Sequence, residues 1–91
     1  MTKVKICGIQ EDSLFPQLRL LDIDYLGFVF ALSKRRVNIP QAQQLIAAVH
    51  QQFIKQPMCV GVFRNQNDSE LHDILRSVPL DIVQFHGDES P

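Results

Sequence analysis

Four short apolar runs recur along the chain, and a segment with helical spacing follows each of the first three. The runs are rich in β-branched and aromatic residues, which is typical of strands buried on both faces. A chain that alternates strands with helices forms parallel strands joined by right-handed crossovers. The strands are predicted at residues 4–7, 25–30, 58–63 and 82–86.

The segments between the runs carry the start signals of three helices. The first opens after a polar stretch, and Pro16 indicates a start near Phe15, because proline is tolerated in a first helical turn. Pro40 suits the first turn of the second helix, and Asp68 or Ser69 is predicted to cap the third. The apolar face of the first helix is predicted to consist of Leu14, Leu18 and Leu21.

The resulting order, βαβαβαβ over residues 1–91, predicts an α/β fold. One βα unit takes about 25 residues, close to the ~31 per unit of a (β/α)₈ TIM barrel of about 250 residues. Four strands cannot close such a barrel, so the chain is predicted to be an N-terminal half-barrel, the first half of a TIM barrel. The alternative is a small open sheet with helices on both faces, as in flavodoxin-like folds. No glycine-rich dinucleotide fingerprint follows the first strand, which disfavours a Rossmann fold.

The composition excludes several functional classes. With 45% hydrophobic and 21% charged residues in 91, the chain has the profile of a soluble globular domain. Its net charge of -1 gives no reason to expect a nucleic-acid partner. No apolar stretch approaches the ~20 residues of a membrane span, and no signal peptide is evident. The two cysteines form no disulfide framework, so a reducing cytoplasm is the expected location.

The residues that end the strands are the candidates for chemistry, because the carboxyl ends of parallel strands meet at one edge. Cys7, Phe30, Phe63 and His86 occupy these ends. Cys7 is either a small buried hydrophobe or a reactive thiolate, which would need nearby positive charge or a helix N-terminus. His86 either acts as an acid, a base or a hydrogen-bond donor, or it orders the following loop. Cys59 lies mid-strand and is expected to be structural.

Residues 34–36, Lys-Arg-Arg, form the only basic cluster in the sequence. Such a run is either a solvated loop or a site for phosphate or carboxylate groups. The acidic residues 88–89 are adjacent and do not form a facing acid pair, so a solvated loop is expected there. No metal-ligand spacing occurs, and neither a metal nor a cofactor is expected.

Five short motifs occur in order along the chain. They are Lys5-Ile6-Cys7-Gly8-Ile9, Leu26-Gly27-Phe28-Val29-Phe30, Ser33-Lys34-Arg35, Gly61-Val62-Phe63 and Val83-Gln84-Phe85-His86-Gly87-Asp88-Glu89. Each is weak alone, but in this order and at this spacing they cover essentially the whole chain. Together they resemble the N-terminal half of the phosphoribosylanthranilate isomerase family of tryptophan biosynthesis.

The resemblance implies a TIM barrel and an Amadori rearrangement of a small phosphorylated substrate, N-(5′-phosphoribosyl)anthranilate, to the corresponding 1-deoxyribulose 5-phosphate. A general acid opens the ribose ring to a Schiff base, and a general base then removes the C2 proton. The resemblance implies that Cys7 is that base. It also implies that Arg35 binds the substrate, since a planar guanidinium group suits the anthranilate carboxylate. His86 is expected on the site face as a substrate-binding residue. No cofactor is implied.

The sequence also departs from the family pattern. Gln10 stands where a threonine is usual, Arg36 where the position is commonly aromatic, and Arg64 where it is commonly apolar. The family's general acid, an aspartate, and its phosphate site belong to later strands. The chain alone is therefore expected to be an inactive fragment of an isomerase.

Two rival interpretations remain at this stage. A non-catalytic half-barrel could pair with itself, or with a missing C-terminal half, because the first and fourth strands would be exposed edges. Alternatively, a flavodoxin-like binding module would hold a cofactor and show no isomerase activity.

Overall fold

The computed structural model describes residues 3–31, 33–64 and 66–85. Within these ranges the strands and helices alternate as predicted. None of the helices there combines the length and the apolar character that crossing a bilayer requires. The elements are β1 (Lys5–Cys7), α1 (Phe15–Leu18), β2 (Tyr25–Val29), α2 (Ile39–Gln52), β3 (Met58–Phe63), α3 (Asp68–Ser77) and β4 (Ile82–Phe85).

The four strands form one parallel sheet in the order β1-β2-β3-β4. Because the order never reverses, right-handed crossovers place all the helices on one face. The flavodoxin-like alternative requires a reversal in strand order and is therefore wrong for the described strands. The chain has the architecture of the first half of a TIM barrel.

One face of the sheet forms the core with the helices. Side chains alternate along a strand, so Leu26 and Phe28 of β2 share this face with Cys59 and Phe63 of β3. Each of these four side chains is at most 1% exposed. The same core contains the apolar stripe of α2, which consists of Ala42, Leu45, Ile46 and Val49.

Helix α2 begins with Pro40 in its first turn, as predicted, and its start is capped. The Asn38 side chain accepts a hydrogen bond from the Gln41 backbone N–H at 2.8 Å, and the Gln41 side chain accepts one from the Asn38 N–H at 3.0 Å. This capping box satisfies two donors that a helix start leaves free. After the helix, the Phe53 ring meets the Phe15 ring edge-on at 5.5 Å, which ties α1 to α2.

Helix α1 is shorter than its leucine spacing predicts. It has 4 residues, of which only Phe15 is buried, whereas Leu14 and Leu21 are 59% and 60% exposed. The chain leaves the helical path in a tight turn, in which the Leu21 N–H donates to the Leu18 carbonyl. The predicted apolar face was therefore wrong for Leu14 and Leu21, whereas Leu18 packs against the core.

Three further boundaries differ from the prediction. The N-cap of α3 is Asn67, whose side chain accepts from the Glu70 N–H at 2.8 Å, and not Asp68 or Ser69. Asparagine is as good a cap as either residue, so composition could not separate them. Strand β1 starts one residue later than predicted and β2 ends one residue earlier.

Candidate active site

The sheet face opposite the helices carries a pocket at the carboxyl ends of the strands. Its volume is about 440 Å³, within the usual range for small-molecule sites. This edge is where barrels of parallel strands bind their ligands. The pocket is lined by Lys5, Cys7, Val29, Ala31, Ser33, Arg35, Val62, Arg64 and Gln84.

Cys7 ends β1, and its side chain is exposed to the pocket. Its register partner on β2 is Gly27. A Cβ added at Gly27 would lie 2.8 Å from the Cys7 Sγ, so the thiol occupies the space that a side chain on β2 would fill. The Gly27 carbonyl accepts hydrogen bonds from the N–H groups of Gly8 and Ile9 at 3.0 and 3.1 Å. These bonds fix the backbone that follows the thiol.

Gly8 turns the chain out of β1 and leaves room for an arginine. Its φ of +88° lies in the region that residues with a side chain rarely adopt. A Cβ at Gly8 would lie 2.5 Å from the Arg35 Cδ, so the Arg35 side chain lies directly on this backbone. Two residues expected in the site, Cys7 and Arg35, are thereby brought into one pocket.

Only one side chain of the basic cluster lines this pocket. The Arg36 backbone bridges back to β2, and its side chain lines a separate cavity beside α2 and α3. The Arg35 N–H donates to the Ser33 hydroxyl at 2.9 Å. The Lys34 carbonyl accepts from the Gln10 side-chain amide at 2.9 Å, which joins the loop after β1 to the loop after β2. All three side chains of the cluster are exposed, and Arg35 is the one that lines this pocket.

Two polar side chains reach across the inner face of the sheet. The Lys5 Nζ donates to the Gln84 Oε1 at 2.5 Å, although the two residues belong to the outermost strands β1 and β4. The sheet is therefore curved enough to bring a side chain of its first strand into contact with one of its last strand across the face. A sheet with this curvature makes the pocket concave.

Positive charge dominates the lining. It contains Lys5, Arg35 and Arg64 and no carboxylate among the described residues, although the chain as a whole has a net charge of -1. A concave site lined by one sign of charge concentrates counter-ions. Guanidinium groups match carboxylates and phosphates in geometry, so the pocket suits an anionic ligand.

The second cysteine provides a contrast with Cys7. Cys59 is 1% exposed in the core. Burial, with a smaller contribution from the nearby Asp81 carboxylate, raises the pKa of its thiol to about 11. This thiol is protonated at neutral pH and is unreactive. The expectation that Cys59 is structural is confirmed.

Phe30 and Phe63, the other strand-end residues that the structure describes, do not line the pocket. They are stacked with ring centroids 5.2 Å apart and belong to the core beneath it. His86 and residues 88–89 lie outside the described residues. Across 3–31, 33–64 and 66–85, no three His, Cys, Asp or Glu side chains are grouped so that they could hold a metal ion.

Four polar lining residues were missed in the sequence: Lys5, Ser33, Arg64 and Gln84. Strand alternation could have identified Lys5, which lies two residues before Cys7 and so on the same face. Arg64 directly follows β3 and was noted only as a departure from an apolar position.

The family of the chain is given by a sequence comparison. The model of N-(5′-phosphoribosyl)anthranilate isomerase matches residues 4–91. The chain belongs to this isomerase family. The resemblance predicted from the five motifs is confirmed.

Curated isomerases are similar over nearly all of this chain but are longer. The Brevibacillus brevis enzyme is 45% identical over 91 residues, which are 100% of this chain and 39% of that protein. The Streptococcus mutans enzyme is 44% identical over 88 residues, 97% of this chain and 44% of that protein. The chain thus spans about two fifths of the length of these relatives.

Solved isomerase structures support the fold. The Thermotoga maritima isomerase superposes with a TM-score of 0.77 at 34% identity, covering 99% of this chain and 42% of that chain. An isomerase in complex with reduced 1-(o-carboxyphenylamino)-1-deoxyribulose 5-phosphate gives a TM-score of 0.76 at 34% identity. The match covers 99% of this chain and 45% of that chain. The predicted half-barrel architecture is confirmed by these barrel enzymes.

Proposed function

We propose that this chain supplies the proton-abstracting half of an N-(5′-phosphoribosyl)anthranilate isomerase, with Cys7 as the general base. The observation that carries the proposal is the juxtaposition of Cys7 and Arg35 in one positively lined pocket at the carboxyl edge of the sheet. A thiolate beside an anion-binding guanidinium suits a substrate that carries a carboxylate next to its reacting carbons.

The proposed step begins with the ring-opened Schiff base of the substrate, protonated at its nitrogen. The Cys7 thiolate removes the proton from C2, and the released electron pair forms the C1–C2 double bond while the C=N electrons move to nitrogen. The product is an enolamine. Transfer of a proton to C1 and loss of the proton on the C2 oxygen then give the ketone. Ring opening needs an acid, which the family places on a later strand.

Arg35 is proposed to hold the anthranilate carboxylate during this step. Its side chain lies on Gly8, next to the base in sequence, and its backbone N–H is held by the Ser33 hydroxyl at 2.9 Å. These contacts restrict the guanidinium to one side of the thiol. A bidentate pair with the carboxylate would then orient the ring, and with it the C2 proton. His86, directly after β4, is proposed as a further substrate contact.

Residues 1–91 are proposed to form an N-terminal half-barrel whose open edges need further strands. Among the described strands, β1 and β4 each pair on one side only. Unpaired edges are normally covered. The cover is proposed to be further βα units of an isomerase barrel, and the alternative is a second copy of the chain. Light scattering of residues 1–91 distinguishes them, because a monomer at high concentration argues against self-pairing.

The decisive test of the function compares Cys7→Ala with Cys59→Ala in the full gene product. General bases contribute about 10²–10⁴-fold to rate, so Cys7→Ala should lower kcat by at least about 10²-fold. Cys59→Ala removes the other thiol from the core and should leave kcat nearly unchanged. A Cys7→Ala enzyme with more than about a tenth of wild-type turnover would refute the assignment. Residues 1–91 alone are expected to show no turnover.

A further inference from the structure

Arg64 and Lys5 are the two charged lining residues to which the proposed reaction gives no role. Arg64 directly follows β3, it is exposed, and it lines the same pocket as Cys7 and Arg35. It also occupies a position where the sequence departs from an apolar pattern. A structural role of the guanidinium in the core is excluded by its exposure.

The backbone at Arg64 is held firmly against two strands. The Arg64 N–H donates to the Gln66 side-chain oxygen at 2.6 Å, and the Gln66 side-chain amide donates to the Phe30 carbonyl at 2.9 Å. The preceding residue, Phe63, is fully buried. The Cα of Arg64 is therefore fixed at the rim of the pocket, and its exposed side chain lines the pocket.

The charges of the lining come from three different strands or their loops. Lys5 belongs to β1, Arg35 to the loop after β2, and Arg64 follows β3. A guanidinium group matches carboxylate and phosphate oxygens in geometry better than an ammonium group does, so the two arginines are the groups that best suit a bound anion. The described lining residues include no carboxylate that would neutralise the two guanidinium groups. The pocket therefore favours a ligand with more than one negative charge.

We propose that Arg64 is a second anion-binding residue of this pocket, whose guanidinium contacts carboxylate or phosphate oxygens of the substrate and so positions it over Cys7. The proposal rests on the proposed function and adds to it a substrate contact specific to this sequence. Arg64 acts by binding, and it takes no part in proton transfer.

The experiment is a two-dimensional NMR titration of the chain at low ionic strength with three probes. Anthranilate carries the carboxylate alone, inorganic phosphate the phosphate alone, and reduced 1-(o-carboxyphenylamino)-1-deoxyribulose 5-phosphate carries both. The variants are Arg64→Gln, Arg64→Lys and the control Arg76→Gln, an exposed arginine in the last turn of α3. A dispersed spectrum of each variant establishes that it is folded before binding is compared.

Arg64→Gln should raise the Kd of the doubly anionic probe about fivefold, as expected for one exposed ionic contact. Arg64→Lys should recover part of this loss, and Arg76→Gln should bind like the wild type. If Arg64→Gln also weakens the binding of anthranilate, Arg64 contacts the carboxylate. If it weakens the binding of inorganic phosphate, Arg64 contacts the phosphate. Added salt should reduce the difference between wild type and Arg64→Gln.

Two outcomes would overturn the proposal. In one, Arg64→Gln binds every probe as tightly as the wild type, or Arg76→Gln loses as much affinity. In the other, the wild-type chain binds none of the probes. Neither result bears on Cys7 as the general base, because that assignment is tested by the kcat of Cys7→Ala. Failure of this inference and failure of the proposed function are therefore distinguishable.

Discussion

Replacing Gly27 by alanine should displace the Cys7 thiol, and so lower kcat, with little change in the free energy of unfolding. The new Cβ would lie 2.8 Å from the Cys7 Sγ and 3.3 Å from the Cys7 Cα and Cβ. Unbonded carbon atoms pack at about 3.5–4.0 Å, so the thiol must move by about 1 Å. Because Cys7 is exposed, its side chain can rotate away, and the free energy of unfolding should fall by only about 1 kcal/mol, the low end for overpacking.

The effect on catalysis should be much larger. A displacement of about 1 Å in a reacting group lowers rate by about 10²-fold. We therefore expect kcat of the full gene product carrying Gly27→Ala to fall by about that factor, while urea unfolding followed by circular dichroism changes little. The fluorescence of the anthranilate group provides the activity assay.

Gly61→Ala is the matched control, because Gly61 lies on the opposite face of the sheet. Its added Cβ would lie 2.9 Å from the Phe63 ring and closer still to Leu80. This variant should lose about 1–3 kcal/mol of unfolding free energy through overpacking of the core, with kcat close to the wild type while it remains folded. The reasoning is refuted if Gly27→Ala keeps kcat within about threefold of the wild type. It is equally refuted if folded Gly61→Ala loses as much activity as Gly27→Ala.

Three further predictions follow from the core and the thiols. Burial raises the pKa of Cys59 from 9.0 to about 11, so its contribution to stability is complete below pH 9 and is lost as the pH rises through 11. This loss, about 2–3 kcal/mol, should appear in urea unfolding of the wild type and be absent from Cys59→Ala. Iodoacetamide at neutral pH should modify Cys7 in the native chain and Cys59 only after unfolding, as read by mass spectrometry; early labelling of Cys59 would contradict its burial. Phe15→Ala should lower the unfolding free energy by about 3–5 kcal/mol, whereas Leu14→Ala, at a 59% exposed position, should change it little.

The fold could be predicted from the sequence because each strand is short, apolar and bounded by turn residues. The alternation of such runs with helical segments permits few topologies. The end of α1 could not be predicted, because Leu14, Leu18 and Leu21 keep a helical period through a segment that is not helical. That period is a property of the sequence alone, whereas the turn after Leu18 depends on hydrogen bonds that form in the folded chain.

Only part of the candidate site could be predicted from the sequence. Cys7 follows from its position at the end of β1, and Arg35 was assigned by resemblance. The direction of Arg35 depends on the bridge that Arg36 forms with β2, which turns neighbouring side chains to opposite sides. The contact between Lys5 and Gln84 depends on curvature accumulated over the whole sheet, and no local pattern records it.

The register between β1 and β2 makes the position of the Cys7 thiol depend on the packing of the core. A slip of one residue would place Leu26 or Phe28 opposite Cys7, and either side chain would fill the space that the thiol now occupies. That slip is prevented because both residues are fully buried against the helices on the other face. The packing of these two side chains therefore holds Gly27 beside the thiol. Core substitutions that loosen them should displace Cys7 and, if Cys7 is the base as proposed, lower kcat of the full gene product before it unfolds.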